Sequence, residues 1–207
     1  MKISAIILGL CFSVIGAIAQ EIDNDEREAK TLLSKYNEIK GFGALDIKLT
    51  DIASKQAMVV GAYGGVIVNK QVMLGLGGYG FTSSINVTRE GGEEVSLEGG
   101  YGGMMLGFII APREIVHVTV PLFLGAGSFH TLNEQIDFNN FPREIILESS
   151  SFAVIEPGLQ LELNISKNVR LNLGASYRLI QGSNLRGIKD ADLSNWAGNV
   201  TVKIGRF

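Results

Sequence analysis

The chain contains two histidines, and one of them, His130, stands two residues after Ser128. Side chains two apart on a strand share a face, so this pair could transfer an acyl group, with Glu134 or Glu148 orienting the ring. No acid is held in place by spacing, however, and serine and histidine are ordinary residues at the base of a loop. The expectation is therefore no catalysis at this pair and no enzyme in the chain. His117 alternates with Val116 and Val118 and reads as an interior side chain of a strand. Gly75-Leu76-Gly77-Gly78-Tyr79-Gly80 has the spacing of a dinucleotide-binding loop. Phe81-Thr82-Ser83 follows it as strand and loop, where a helix N-terminus would have to receive the phosphate. No metal-ligand cluster and no cofactor motif stand elsewhere, so the expected cofactor is none.

A larger set of chemically able residues is spread along alternating segments. Leu45, Ile47 and Leu49 oppose Asp46, Lys48 and Thr50; Leu159, Leu161 and Leu163 oppose Glu156, Gln160 and Glu162. Leu171, Leu173 and Leu179 oppose Arg170, Asn172 and Arg178, and Val200, Val202 and Ile204 oppose Asn199, Thr201 and Lys203. Acids and bases thus converge on one face. In a membrane barrel that face lines the lumen, where each charge finds a partner, and the uncharged face meets lipid. Asp46, Lys48, Glu156, Glu162, Arg170, Arg178 and Lys203 are the expected network. A soluble lipocalin-like carrier of an apolar ligand would turn the same faces the other way. Symmetric pairing about Lys167 sets Glu156 opposite Arg178 and predicts that these two meet.

The elements that must position these residues are eight strand-like stretches: Gly43 to Ile52, Gln56 to Val68, Gln71 to Thr82, Val95 to Ile109, Ile115 to Gly127, Ser151 to Ile165, Val169 to Gln181 and Asn195 to Phe207. Tight turns at Asn69-Lys70, Pro112-Arg113-Glu114 and Ser166-Lys167-Asn168 fall at one end. Long connections, Ser83 to Glu94, Ser128 to Ser150 and Gly182 to Ser194, fall at the other; only that around Ala53-Ser54 is short. This predicts an all-β, eight-stranded antiparallel transmembrane β-barrel of up-and-down topology with a short N-terminal helix. Strands two to four carry Tyr63, Tyr79 and Tyr101 in Gly/Ala-Tyr-Gly units with small or apolar residues on both faces, and their facing stays open. Pro121 and Pro157 lie inside strands and suggest bulges or bends.

Ahead of the strands, Lys2, the apolar run Ile3 to Ile18 and Ala17-Ile18-Ala19 read as a signal peptide, residues 1–19, cleaved before Gln20. Leu10 before Cys11 does not suit lipoprotein processing, so the mature chain would lack cysteine. Residues 20–42 form a periplasmic N-terminal segment, with a helical pattern from Asp23 to Lys40 and Gly41-Phe42-Gly43 as a hinge into a barrel of residues 43–207. The net charge of −3, with no clustered Lys or Arg, makes nucleic acid an unsuitable partner.

The signal, the eight strands, the unequal connections and the terminal Ile204-Gly205-Arg206-Phe207 resemble the OmpX and OmpA-type small outer-membrane β-barrels. The resemblance implies location in the outer membrane of a Gram-negative cell envelope. It also implies insertion by the outer-membrane assembly machinery, which reads a last strand ending in an aromatic, here Phe207. Val200, Val202 and Ile204 put Phe207 out of step with the apolar face. The expected role is structural or surface-interacting: a monomer with a closed, side-chain-filled lumen and no bulk pore. Outer-membrane lipid and extracellular proteins touching the loops are the expected partners. Phe129, Phe138 and Phe141 in the longest connection are the contact residues. The first two long connections hold seven acids and two bases, so anionic surfaces are disfavoured. The alternative is a lipid-modifying enzyme. Barrel enzymes that deacylate lipopolysaccharide pair a Ser and a His near the outer edge, but in the order His-x-Ser, the reverse of Ser128 and His130.

Overall fold

The computed structural model describes residues 38–81, 85–88, 94–136 and 142–207. The helical pattern expected up to Lys40 lies almost wholly outside them. Nine strand segments appear among the described residues: β1 (Ile39–Ile52), β2 (Lys55–Val68), β3 (Val72–Phe81), β4 (Ile85–Thr88), β5 (Glu94–Ile110), β6 (Val116–Ile136), β7 (Pro142–Asn164), β8 (Val169–Gln181) and β9 (Asn195–Gly205). β3 and β4 both pair with β5, along successive stretches, and so count as one barrel strand. Every other strand pairs antiparallel with its chain neighbours, and β1 pairs with β9. The result is a closed eight-stranded antiparallel barrel, which leaves no lateral sheet edge.

Alternation decides the facing. In β1, Ala44, Asp46, Lys48 and Thr50 are buried, whereas Leu45 and Leu49 are 64% and 65% exposed. The same holds for Leu159 and Leu161 in β7 and Val200, Val202 and Ile204 in β9, all exposed. An apolar exterior around a charged interior suits lipid outside and polar pairing within, and it excludes the lipocalin-like arrangement.

Several strands run further than their composition predicts. β1 begins at Ile39, so Gly41-Phe42-Gly43 belong to the ladder rather than to a hinge. β6 and β7 extend as a hairpin far into the expected 128–150 loop, with their bulge between Thr131 and Leu132. Neither Pro121 nor Pro157 shifts the register: Thr119 faces Gln160 and Leu122 faces Pro157 in one unbroken count. That count sets Pro121 against Gly158, where a Cβ would lie 3.1 Å from the proline ring. Glycine therefore makes room for the ring where a bulge was expected.

Two hairpins turn through residues of positive φ, Ala53 (48°) with Ser54 (63°) and Asn69 (52°) with Lys70 (62°). Two successive left-handed residues are the signature of the tight turn whose twist matches that of the strands. The third long connection, 182–194, departs from expectation in another way. It folds back over the barrel mouth through one helical turn, Asp190–Leu193, and buries Leu185, Ile188 and Leu193.

Candidate functional site

The lumen is built from two sides. On β1, β7, β8 and β9 the inward positions carry charge. Glu162 is fully buried and is the hub nearest the tight turns. Its Oε2 accepts from Lys203 Nζ (2.6 Å), Asn172 Nδ2 (2.8 Å) and Thr119 Oγ1 (2.9 Å), and its Oε1 from Arg170 Nη1 (2.7 Å). His117 Nε2 lies 3.2 Å from Oε1. The strand register causes this convergence, because it places His117 opposite Glu162, Glu162 opposite Asn172 and Arg170 opposite Lys203.

A second hub lies further from the tight turns. Glu156 accepts from Lys48 Nζ (2.7 Å), Tyr101 Oη (2.9 Å) and Ser176 Oγ (2.5 Å). Lys48 also lies 3.8 Å from Asp46 and 3.6 Å from the centre of the Tyr79 ring. Asp46 accepts from Tyr79 Oη (3.1 Å) and Thr201 Oγ1 (2.7 Å). Three acids and three of the four predicted bases thus form ion pairs or lie within reach of one. Arg178 is the exception. Its place in the register falls opposite Glu156, as expected, yet the cation bound to Glu156 is Lys48, contributed by β1 across the lumen. Arg178 is fully buried and donates to neutral acceptors, the Leu193 carbonyl at 3.3 Å and Thr50 Oγ1 at 3.5 Å; it also interacts with the Tyr101 hydroxyl, while its Nη1 has no partner among the described residues.

The other side, on β2, β3 and β5, is aromatic and glycine-rich, and the structure resolves the facing that the sequence left open. Tyr63, Tyr79 and Tyr101 all point inward. Four of the rings lie across from an inward glycine on a neighbouring strand: Tyr63 opposite Gly77, Tyr79 opposite Gly61, Tyr101 opposite Gly127 and Phe129 opposite Gly99. A Cβ at Gly61 would collide with the Tyr79 ring, and one at Gly99 would sit 2.7 Å from the Phe129 ring. The repeat therefore exists so that rings can lie flat over glycines inside a narrow barrel. Tyr79 and Tyr101 stack at 5.1 Å and both meet Phe123 edge-on.

Phe129 corrects the expectation that it is a loop contact. It is completely buried and stacks on Phe81 at 5.4 Å and Phe152 at 4.6 Å, because β6 continues past it and turns it inward. Phe138 and Phe141 lie outside the described residues. Phe207 sits at the tight-turn mouth, its ring 3.9 Å from the Arg170 guanidinium and its carbonyl oxygen accepting from Lys40 Nζ at 3.0 Å. At the same rim, a hydrogen bond from Lys40 and the nearby Lys70 charge hold the Glu38 carboxyl below the usual carboxylate range.

Ser128 and His130 flank inward Phe129 and so take the outer face, with Ser128 Oγ 3.3 Å from His130 Nε2. His130 Nδ1 has no hydrogen-bond partner among the described residues. The register sets Glu98 opposite His130, an acid that sequence spacing did not suggest, while Glu148 accepts the Arg186 backbone N–H at 3.3 Å. The side chain of Glu134 lies outside the described residues. Gly75 to Gly80 lie in β3, and the next element among the described residues is the strand β4.

Beside Glu156 and Phe123 the interior leaves a cavity of about 10 Å³, room for one water at most. A filled, charge-lined interior inside an apolar exterior is the build of a small membrane barrel. The fold of neisserial surface protein A matches it, with a TM-score of 0.54 at 9% identity over 84% of this chain and all of that one. The fold is that of the small OmpX and OmpA-type outer-membrane barrels. Two further solved structures align with lower scores. Ail, the attachment invasion locus protein of Yersinia pestis, solved with the heparin analogue sucrose octasulfate, gives 0.46 at 11% identity over 82% of this chain and 98% of that one. The outer membrane protein OprG of Pseudomonas aeruginosa gives 0.45 at 9% identity over 82% and 95%. No protein-family model matches the sequence, and no curated protein does.

Proposed function

We propose that this chain is a monomeric outer-membrane protein with a structural or surface-interacting role, exported by a cleaved signal peptide of residues 1–19 and inserted by the outer-membrane assembly machinery through a last strand ending at Phe207. The carrying observation is the filled interior. Glu162, Glu156 and their cations close the tight-turn half, and Phe81, Phe129 and Phe152 with the folded-back 182–194 connection close the other. A barrel so packed conducts little, which leaves its outer loops as the surface that acts, with outer-membrane lipid around it and extracellular protein as the loop partner. No cofactor enters this reading, and nucleic acid is no partner. An enzymatic role is not part of this reading.

Fractionation of cells with heat-modifiable gel migration tests the proposal. The expected result is a band in the outer-membrane fraction that migrates anomalously until boiled; a band in the soluble fraction overturns it. Steady, large single-channel conductance from the purified monomer in planar bilayers would overturn the closed lumen.

A further inference from the structure

The long-connection mouth is not covered the way the other mouth is. The connection 182–194 inserts Leu185, Ile188 and Leu193 into the apolar cluster that includes Phe129, Phe152 and Ile180, so three lid side chains complete the packing at this mouth. Much of the lid is knitted to itself. Asp190 accepts the N–H groups of Gly182 and Ser183, Asp192 accepts that of Lys189, and Ser194 Oγ donates to the Asp190 carbonyl. It is tied to the wall through Ala53 N–H to the Asp192 carbonyl, Asn184 N–H to Ser150 Oγ, Arg186 N–H to Glu148, Ile180 N–H to Ser194 Oγ and Arg178 Nε to the Leu193 carbonyl. Gly182 begins it at φ 85°, a left-handed conformation that glycine adopts without strain, with open space where a Cβ would lie.

Beneath the lid lies Arg178, a buried cation to which no carboxylate is bonded among the described residues. A guanidinium withdrawn from water and matched to a carbonyl, the Thr50 and Tyr101 hydroxyls and, at the edge of reach, the Phe81 ring, but to no bonded carboxylate, is incompletely compensated. An anionic oxygen in place of the Leu193 carbonyl would compensate it better, and Nη1 is unoccupied. The space that Leu185, Ile188 and Leu193 fill, against the stacked Phe81, Phe129 and Phe152 rings, suits an unbranched hydrocarbon chain.

We propose that this mouth is a binding site for a single-chain amphiphile with a carboxylate head, in chemical terms a fatty acid, and that residues 182–194 are the lid it displaces. The head meets Arg178 where the Leu193 carbonyl now sits, and the chain takes the places of Leu193, Ile188 and Leu185. The lid occupies its own site as a stand-in for the ligand. This goes beyond the surface role proposed above and does not depend on it, because binding is read from the purified barrel and location from fractionation.

The test is native mass spectrometry of the full chain, purified in a non-ionic detergent, with dodecanoate and 1-dodecanol as probes. Wild type should give a saturable 1:1 adduct with dodecanoate, about tenfold or more tighter than with the alcohol, the gain expected of a charge-assisted hydrogen bond. Arg178→Gln should remove that difference. The double variant Leu185→Ser/Ile188→Ser should bind dodecanoate more tightly than wild type, since a weaker lid competes less. No saturable adduct, equal binding of acid and alcohol by wild type, undiminished discrimination by Arg178→Gln or unchanged affinity in the lid variant would each overturn the proposal.

Discussion

The β7, β8, β9 and β1 half of the barrel and the β2, β3 and β5 half fill one lumen by opposite means. The first uses long charged side chains that reach across the interior, so that Glu162 gathers partners from β6, β8 and β9. The second uses flat rings lying over glycines on the adjacent strand, as Tyr79 does over Gly61. The difference teaches where each half stores its stability. Charges withdrawn from water are bound to specific partners, and loss of one partner strands the other. Rings over glycine are stabilised by contact area, and loss of one leaves a void.

The largest separation should come from Glu162→Leu, which strands Lys203 and Arg170 together at a cost of about 5 kcal/mol, the upper end for a broken buried pair. Urea titration of the refolded barrel, followed by the fluorescence of its single tryptophan, Trp196, measures it. A loss under about 1 kcal/mol, the scale of an exposed pair, would mean that the hub is hydrated.

Phe129→Ala, the matching test of the aromatic side, should cost about 4 kcal/mol through the cavity between Phe81 and Phe152. By contrast with the Glu162 variant, small apolar solutes such as benzene should restore part of it, because an apolar void takes up an apolar guest. Failure of any solute to restore stability would show that the site collapses.

Within the charged half, Lys48→Met should cost about 3 kcal/mol, since Glu156 keeps Tyr101 and Ser176 but no bonded cation. Arg178→Leu should cost about 1 kcal/mol or less, because its acceptors are neutral and the change removes a buried charge. Equal losses in the two variants would show that Glu156 pairs with Arg178 after all.

The smallest effect belongs to neither half. Ser54→Gly should gain about 0.5–1 kcal/mol by relieving a left-handed residue in the turn between β1 and β2. A loss of stability would indicate that the serine side chain contributes more than its backbone strain removes.

These two halves were not equally legible. Alternation over Leu159 to Asn164, Leu171 to Arg178, Val200 to Lys203 and Leu45 to Thr50 announces strands, their number and a charged face, because a period of two is a property of the chain itself. The register between β7 and β8 was legible too, since the tight turn at Lys167 centres the hairpin. Strands β2, β3 and β5 carry small or apolar residues on both faces, so no local pattern says which way Tyr63, Tyr79 and Tyr101 turn. Only the barrel decides that, by placing an inward glycine beside each ring. The partner of Glu156 was likewise beyond reach: Arg178 is its neighbour in the hairpin, but Lys48 comes from a strand 108 residues away that faces it only once the sheet has closed. Loop composition misled at Phe129 and at 182–194 for one reason, that polar and glycine-rich residues signal a connection without saying whether it runs outward or folds back. The sequence determined the architecture and the charged face, because both follow from periodicity. Closure of the sheet decided the pairing, the packing and the lid, because those depend on residues that only the third dimension brings together.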